Sequence, residues 1–339
     1  MSDAFQQEAE VFLKENGIDP AAGLEKLAGG ANNQVYRIRG ERDVVLKRYF
    51  QREGDHRDRF AAEHHFYQTA WGGGVKRIPE PIAWSPEAKL GLFEHVEGRS
   101  LAPGEVGLEQ VEQAIALVVE VNSRATEEQL ESAPIAAEAC MHVGEYHECV
   151  ERRLARLEAM SPDTDAEAEA AAFVRGQLRP AWKQIDARMR EEADHEYFDA
   201  RTGLPLSEQC LSPSDFGFHN ALQQPDGELR FFDFEYSGMD DPAKLVCDFF
   251  CQPALPAPPE HWDRFVAGLQ ELRRWDECFP ARARWAMPAC RIKWVCIMLN
   301  EFVRSEMARR EFSLSAEEVT QRQEAQLKKA RKALEEVAG

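Results

Sequence analysis

The residues with the clearest chemical content lie in one segment, Ser212 to Glu235, which reads SPSDFGFHNALQQPDGELRFFDFE. Asp215 precedes Asn220 by five residues, and Asp233 follows Asn220 by thirteen. Phosphoryl transfer asks for such a set. One carboxylate orients an attacking hydroxyl and accepts its proton, and oxygen ligands hold Mg2+ against the transferred phosphate. Asp215 suits the first task, Asn220 and Asp233 the second. The arms Ala221-Leu222 and Leu229 to Phe232, with the turn Gln224-Pro-Asp-Gly227 between them, predict a hairpin that ends at Asp233. Taken alone, the spacing also fits a plain hairpin with Asp and Asn as turn formers.

Upstream residues add to the set. Gly29-Gly30-Ala31-Asn32-Asn33 is a glycine-rich bend before a strand, where backbone N–H groups can approach phosphates. Lys47 sits in the apolar run Val44-Val45-Leu46-Lys47, either on an exposed strand face or paired with a nucleotide phosphate and a helix glutamate. Glu63, on the following helix, could be that glutamate. Each part is common; the order of glycine turn, strand lysine, helix glutamate, Asp and Asn of a loop, then a second Asp is not.

The elements that must position these groups change in texture near residue 100. Before it, 34–39, 43–50 and 90–96 have strand character, and 58–71 reads as a helix with Phe60, His64, Tyr67 and Trp71 on one stripe. After it, helical periodicity runs through 107–124, 144–160, 166–192, 261–274 and 281–309, interrupted by strand-like stretches at 211–222 and 229–234. The tail opens on a capping box, Ser315 to Glu318, and Leu327, Ala330, Leu334 and Val337 line one face, which predicts a helix docked on the body.

Four stretches carry a resemblance: LAGGANNQVYRI, VVLKRY, GLFEHVEGRSL and SPSDFGFHNAL with FFDFEYSGMDDPAKLVCDF. Together they resemble the aminoglycoside phosphotransferase and choline kinase family. The resemblance implies an α+β, protein-kinase-like fold of two lobes. A small antiparallel sheet with one helix would occupy 1–97 and a larger, mainly helical lobe 98–339. It implies ATP and Mg2+ as cofactors, with Gly29, Gly30, Asn32, Asn33, Lys47 and Glu63 around the phosphates. Glu94 to Val96 would be the hinge against adenine, Asp215 the catalytic base, and Asn220 and Asp233 the metal ligands. Asp248 would support the helical lobe. The family usually has His-Gly before the catalytic aspartate; here Pro213-Ser214 stands there. That departure leaves a nucleotide-binding pseudokinase with a regulatory or scaffolding role as the alternative to an active small-molecule kinase.

For the acceptor, an acidic and aromatic lobe suits an amino alcohol or amino sugar, and a neutral sugar is also compatible. The candidates are Glu235, Tyr236, Asp240, Asp241, Trp294 and Glu301. The net charge of −19 argues against a general affinity for nucleic acid or an anionic membrane. No apolar run is long enough to span a bilayer and the N-terminus does not read as a signal peptide, so a cytoplasmic location is expected. The eight scattered cysteines predict reduced thiols packed as small apolar residues. The motif from His142 through His147 to Cys149 reads as an ordinary helix face in preference to a zinc site. Either a monomer or a homodimer fits.

Overall fold

The computed structural model describes residues 3–27, 33–50, 57–195, 203–272, 278–303 and 316–338. The elements in chain order are α1 (Asp3–Glu15), β1 (Glu25–Lys26), β2 (Gln34–Ile38), β3 (Val44–Arg48), α2 (Arg59–Gly72), β4 (Pro81–Ser85) and β5 (Leu90–Glu94). Then come α3 (Leu108–Arg124), α4 (Glu127–Glu131), α5 (Val143–Glu158), α6 (Asp165–Phe173), α7 (Arg179–His195), β6 (Cys210–Ser212), β7 (Ala221–Gln223), β8 (Leu229–Phe231) and β9 (Gly238–Asp240). The chain closes with α8 (Pro242–Cys251), α9 (Trp262–Gln270), α10 (Phe279–Met298) and α11 (Ala316–Ala338). This is the expected α+β fold, with an antiparallel five-stranded sheet of order β1-β2-β3-β5-β4 in the N-terminal part.

The chain divides into two compact units. The first comprises Met1–Ala137, Cys210–Met239 and Ala254–Arg273; the second comprises Glu138–Gln209, Asp240–Pro253 and Arg274–Gly339. In the first, side chains alternate across each strand, so one face of the sheet carries Tyr36, Ile38, Val44, Leu46, Leu90 and Leu92. Helix α1 covers that face with Phe5, Ala9, Phe12 and Leu13. Odd positions of β3 therefore turn the other way, and Lys47 goes with them. On that side Tyr67 of α2 packs against Trp84 and Phe93. Asp58 starts α2 as its cap, accepting a hydrogen bond from the Ala61 N–H.

The hairpin β7–β8 is clamped from several sides. Phe231 N donates to Arg77 O (2.8 Å), and Leu229 N donates to the Gln113 side chain of α3 (2.7 Å). Arg99 and Gln223 exchange two backbone hydrogen bonds, which adds the chain after β5 to the hairpin as a third rung. Gly98 permits this contact, since a Cβ there would lie 2.8 Å from Gln223 O.

The second unit is helical. Its tail helix docks through buried Leu327, Ala330 and Leu334, as the periodicity predicts. The tail's capping box lies outside the described residues. The single helix read over 166–192 is interrupted: a π-turn at Val174–Leu178, which contains Gly176, separates α6 from α7. The long helix read from 281 ends at Met298 and tightens into a 3-10 turn, Leu299–Phe302. All eight cysteines are free thiols, six of them buried.

Candidate active site

The site grows from Lys47. Its ammonium lies 2.5 Å from Glu63 Oε2 and 2.5 Å from Asp233 Oδ1. Lysine is 8% and Glu63 2% exposed at the side chain, whereas Asp233 keeps 33%. One end of this buried pair is thus open to solvent. Burial alone would lower the lysine's pKa, but the Asp233 and Glu63 carboxylates more than reverse it and hold the ammonium charged. Burial raises the Glu63 pKa, Lys47 opposes the rise and Asp233 adds to it. Glu235 also bears on Lys47. Two carboxylates touch the ammonium, and a third acts on it from further off.

The segment after β8 is fixed residue by residue. The Asp233 backbone is left-handed, with φ +68°. Phe234 N donates to Glu63 Oε1 (3.2 Å), and its ring stacks on Phe66 at 4.2 Å. Glu235 Oε2 accepts from Asn33 Nδ2 at 2.5 Å and lies 3.7 Å from Arg59 Nε. Ser237 Oγ donates to Ala62 O (3.1 Å). Glu63 thus serves twice, as the partner of Lys47 and as a brace for the Asp233 loop.

The loop that carries Asp215 lies earlier in the chain, between β6 and β7. Ser214, which stands where the family has glycine, takes φ +65°. Its N–H donates to the hydroxyl of buried Ser212 (3.0 Å), and Phe216 N donates to Ser214 O (2.8 Å), closing a tight turn around Asp215. Asn220 Nδ2 donates to Asp215 O (3.0 Å), so the carboxamide braces the loop with its nitrogen. Phe232 N donates to Asn220 O (3.0 Å), which places Asn220 at the hairpin end from which Asp233 departs. His219 Nε2 lies 3.3 Å from Asp215 Oδ1. The sequence reading passed over that histidine although it sits inside the D-x4-N spacing.

Hard oxygen donors with an excess of carboxylate fit Mg2+. Among the described residues no three His, Cys, Asp or Glu side chains form a metal cluster.

A sequence profile of the phosphotransferase enzyme family matches residues 23–287. The chain belongs to that family. The expectation of an ATP-dependent phosphotransferase with an alcohol group as acceptor holds with it. No curated protein matches the phosphotransferase in sequence. Among solved structures it is similar to a spectinomycin phosphotransferase in complex with ADP and spectinomycin (14% identity, TM-score 0.61, 94% of this chain and 98% of that one). It is also similar to a choline kinase from Streptococcus pneumoniae (12%, TM-score 0.58, 98% and 100%). A third is a choline/ethanolamine kinase family protein from Mesorhizobium loti (14%, TM-score 0.56, 98% and 95%). At these identities the likeness shows the shared fold, which is the kinase-like α+β fold read from the sequence.

The structure therefore brings Lys47, Glu63, Asp233, Glu235 and Asn33 of the phosphotransferase together, and Asp215 with Asn220. Gly29, Gly30 and Asn32 lie outside the described residues. The Glu94 side chain is engaged by Glu80 N (3.0 Å) and Arg42 (3.1 Å), while Val96 is buried beside it in the chain. In the second unit, Asp240 is fully buried on Lys244 (2.7 Å), Asp241 on Arg282 (2.9 Å) and Glu301 on Arg322 (3.0 Å). Trp294 donates its indole N–H to Asp248 (2.9 Å). His147 is buried and bonded to Asp186. No described helix is long and apolar enough to cross a membrane.

Proposed function

We propose that the protein transfers the ATP γ-phosphate to a hydroxyl of an amino alcohol, amino sugar or sugar, with Asp215 as base. The observation that carries this reading is the buried Lys47, held between Glu63 and the partly open Asp233. Lys47 contacts the nucleotide phosphates, assisted by Gly29, Gly30, Asn32 and Asn33 of the glycine turn. Backbone groups of Glu94 and Val96 take adenine, since the Glu94 side chain is already engaged. Asn220 and Asp233 hold Mg2+, which when bound neutralises charge on the phosphate oxygens. Asp215 takes the proton of the acceptor hydroxyl as its oxygen bonds to the γ-phosphorus. The bond from that phosphorus to the bridging oxygen breaks, and ADP leaves.

In this reading residues 1–97 form the nucleotide lobe and 98–339 the acceptor lobe of a cytoplasmic enzyme, monomeric or homodimeric. Of the acceptor candidates, Tyr236 already carries Arg57 and Arg59 over its ring and Trp294 carries Lys293. Glu235, Asp240 and Glu301 are buried on partners of their own.

The test is incubation with ATP, Mg2+ and a panel of amino alcohols, amino sugars and sugars, with product followed by mass spectrometry. Asp215→Ala should lower kcat by about 10²–10⁴-fold, the usual worth of a positioned base, with nucleotide affinity retained. Undiminished product from that variant would remove Asp215 from its role. A wild type that binds nucleotide and phosphorylates no member of the panel would favour the regulatory reading.

A further inference from the structure

Asn33 and Glu235 are 202 residues apart, and their side chains meet at 2.5 Å. Both residues are less than a tenth exposed. Glu235 sat among the acceptor candidates, yet its carboxylate is turned onto a carboxamide at the start of β2 and a guanidinium at the start of α2. The other end of the Asn33 carboxamide is also used: its oxygen accepts from Phe50 N at 3.1 Å, just past the end of β3. One carboxylate therefore joins the beginnings of β2 and α2 to the segment that bears Asp233.

We infer that the Asn33–Glu235 pair is a latch that positions the nucleotide phosphates, and that Glu235 is neither an acceptor contact nor a metal ligand. The inference rests on the nucleotide site proposed above. Asn33 follows the glycine-rich turn directly, and Glu235 follows Asp233 by two residues. Val35, two positions along β2, is the register partner of Lys47. A shift at the start of β2 therefore reaches both the turn and the strand that carries the lysine. Deprived of the Asn33 amide, the buried carboxylate would shift toward Arg59, 3.7 Å away, because a buried charge needs its partners close. It would then disturb Asp233 through two peptide units. Asp215 sits on a separate loop with its own hydrogen bonds, so the latch acts on nucleotide binding and leaves the base in place.

The experiment measures ADP·Mg2+ dissociation constants by calorimetry, alongside melting temperatures without nucleotide. Asn33→Asp keeps an acceptor for Phe50 N and sets a second carboxylate against Glu235. It should weaken ADP·Mg2+ binding by about tenfold, a change of 1.4 kcal/mol. Glu235→Gln keeps an oxygen for the Asn33 amide and should shift binding by less than about threefold. The double variant, Asn33→Asp with Glu235→Gln, reverses the polarity of the bond and should restore most of the affinity.

A purely structural pair would lower the melting temperature of Asn33→Asp and leave the affinity of the folded protein unchanged, which would overturn the latch. So would a tenfold loss in Glu235→Gln alone, which would mark its charge as a metal ligand. If Asn33→Asp does not fold, Asn33→Ser, which is shorter and uncharged, must show the same loss for the latch to stand. Failure of the wild type to bind ADP·Mg2+ would instead overturn the nucleotide site itself, and the latch with it.

Discussion

Each unit contains a buried cluster of charges, and the two differ in how far they are closed to solvent. In the second unit Asp240 and Asp248 face Lys244 and Lys293, with separations of 2.7 Å and 3.1 Å for the two Lys244 contacts. The adjoining Asp241–Arg282 and Glu138–Arg153 pairs are balanced as well. All four residues of the central cluster are at most 5% exposed. In the first unit Glu63 and Asp233 share the ammonium of Lys47, Glu235 lies 3.7 Å from Arg59, and Asp233 is one-third exposed. A balanced, closed cluster has nothing left to bind and serves the fold. A cluster open to solvent at one carboxylate keeps a charged group within reach of a ligand.

The sharpest way to break this comparison is to remove one lysine from each cluster. Lys244→Met strands the buried carboxylate of Asp240, leaves Asp248 with Lys293 and Trp294, and should cost about 3–5 kcal/mol of stability, read by urea unfolding. Lys47→Met should cost clearly less, about 1–2 kcal/mol. Asp233 can turn to water, and Glu63, whose pKa is already raised by burial, can take up a proton. Its main effect should fall on nucleotide affinity. Equal losses of stability would show that both clusters are structural, and the distinction would go.

Acid offers a second, smaller probe of the closed cluster. Burial pushes the Asp248 pKa up, but Lys293, Lys244 and the Trp294 indole N–H outweigh it and bring it down to about 2. The folded value lies below the unfolded one, so the unfolded chain takes up the proton first as the pH falls. The stabilisation is complete above about pH 4 and is lost toward pH 2, a loss of about 2 kcal/mol. Unfolding curves for the wild type should show this fall. In Asp248→Asn, less stable throughout, that part of the acid dependence should be missing. A variant with the full wild-type acid dependence would place the titration elsewhere.

The two clusters were not equally legible in the sequence. Lys47 stood out because a charged residue in Val44-Val45-Leu46-Lys47 conflicts with its surroundings, and conflict of that kind is local. Asp215, Asn220 and Asp233 stood out because their order and spacing are fixed by one loop and one hairpin. Helix α1 was passed over although Phe5, Ala9, Phe12 and Leu13 show helical spacing, because only the sheet it covers gives that face a purpose. The Asn33–Glu235 bond joins residues from distant parts of the chain, and neither residue type announces the other. Lys244 and Lys293 drew no reading from the sequence; their burial depends on how helices pack, which periodicity does not report. The interruption at Val174–Leu178 was hidden because Gly176 sits in a run that otherwise keeps its period.

The smallest expected effect concerns the loop where this chain departs from its family. Ser214 occupies a left-handed conformation that glycine takes at no steric cost and other residues adopt at about 1–2 kcal/mol. Ser214→Gly removes that strain but gives the unfolded chain more freedom, worth about 0.4–1 kcal/mol in the other direction. The net change should be neutral to slightly stabilising, by about 0.5 kcal/mol. Ser214→Val makes the opposite probe, since a β-branched residue at positive φ is a genuine outlier, and should cost about 2 kcal/mol. If chemical unfolding finds Ser214→Val as stable as the wild type, the loop relaxes freely and the turn around Asp215 is not held by Ser212. If the expected order of glycine, serine and valine is found, the serine carries the family's glycine conformation under tension. The Ser212 hydroxyl, which accepts from the Ser214 N–H, then braces the turn.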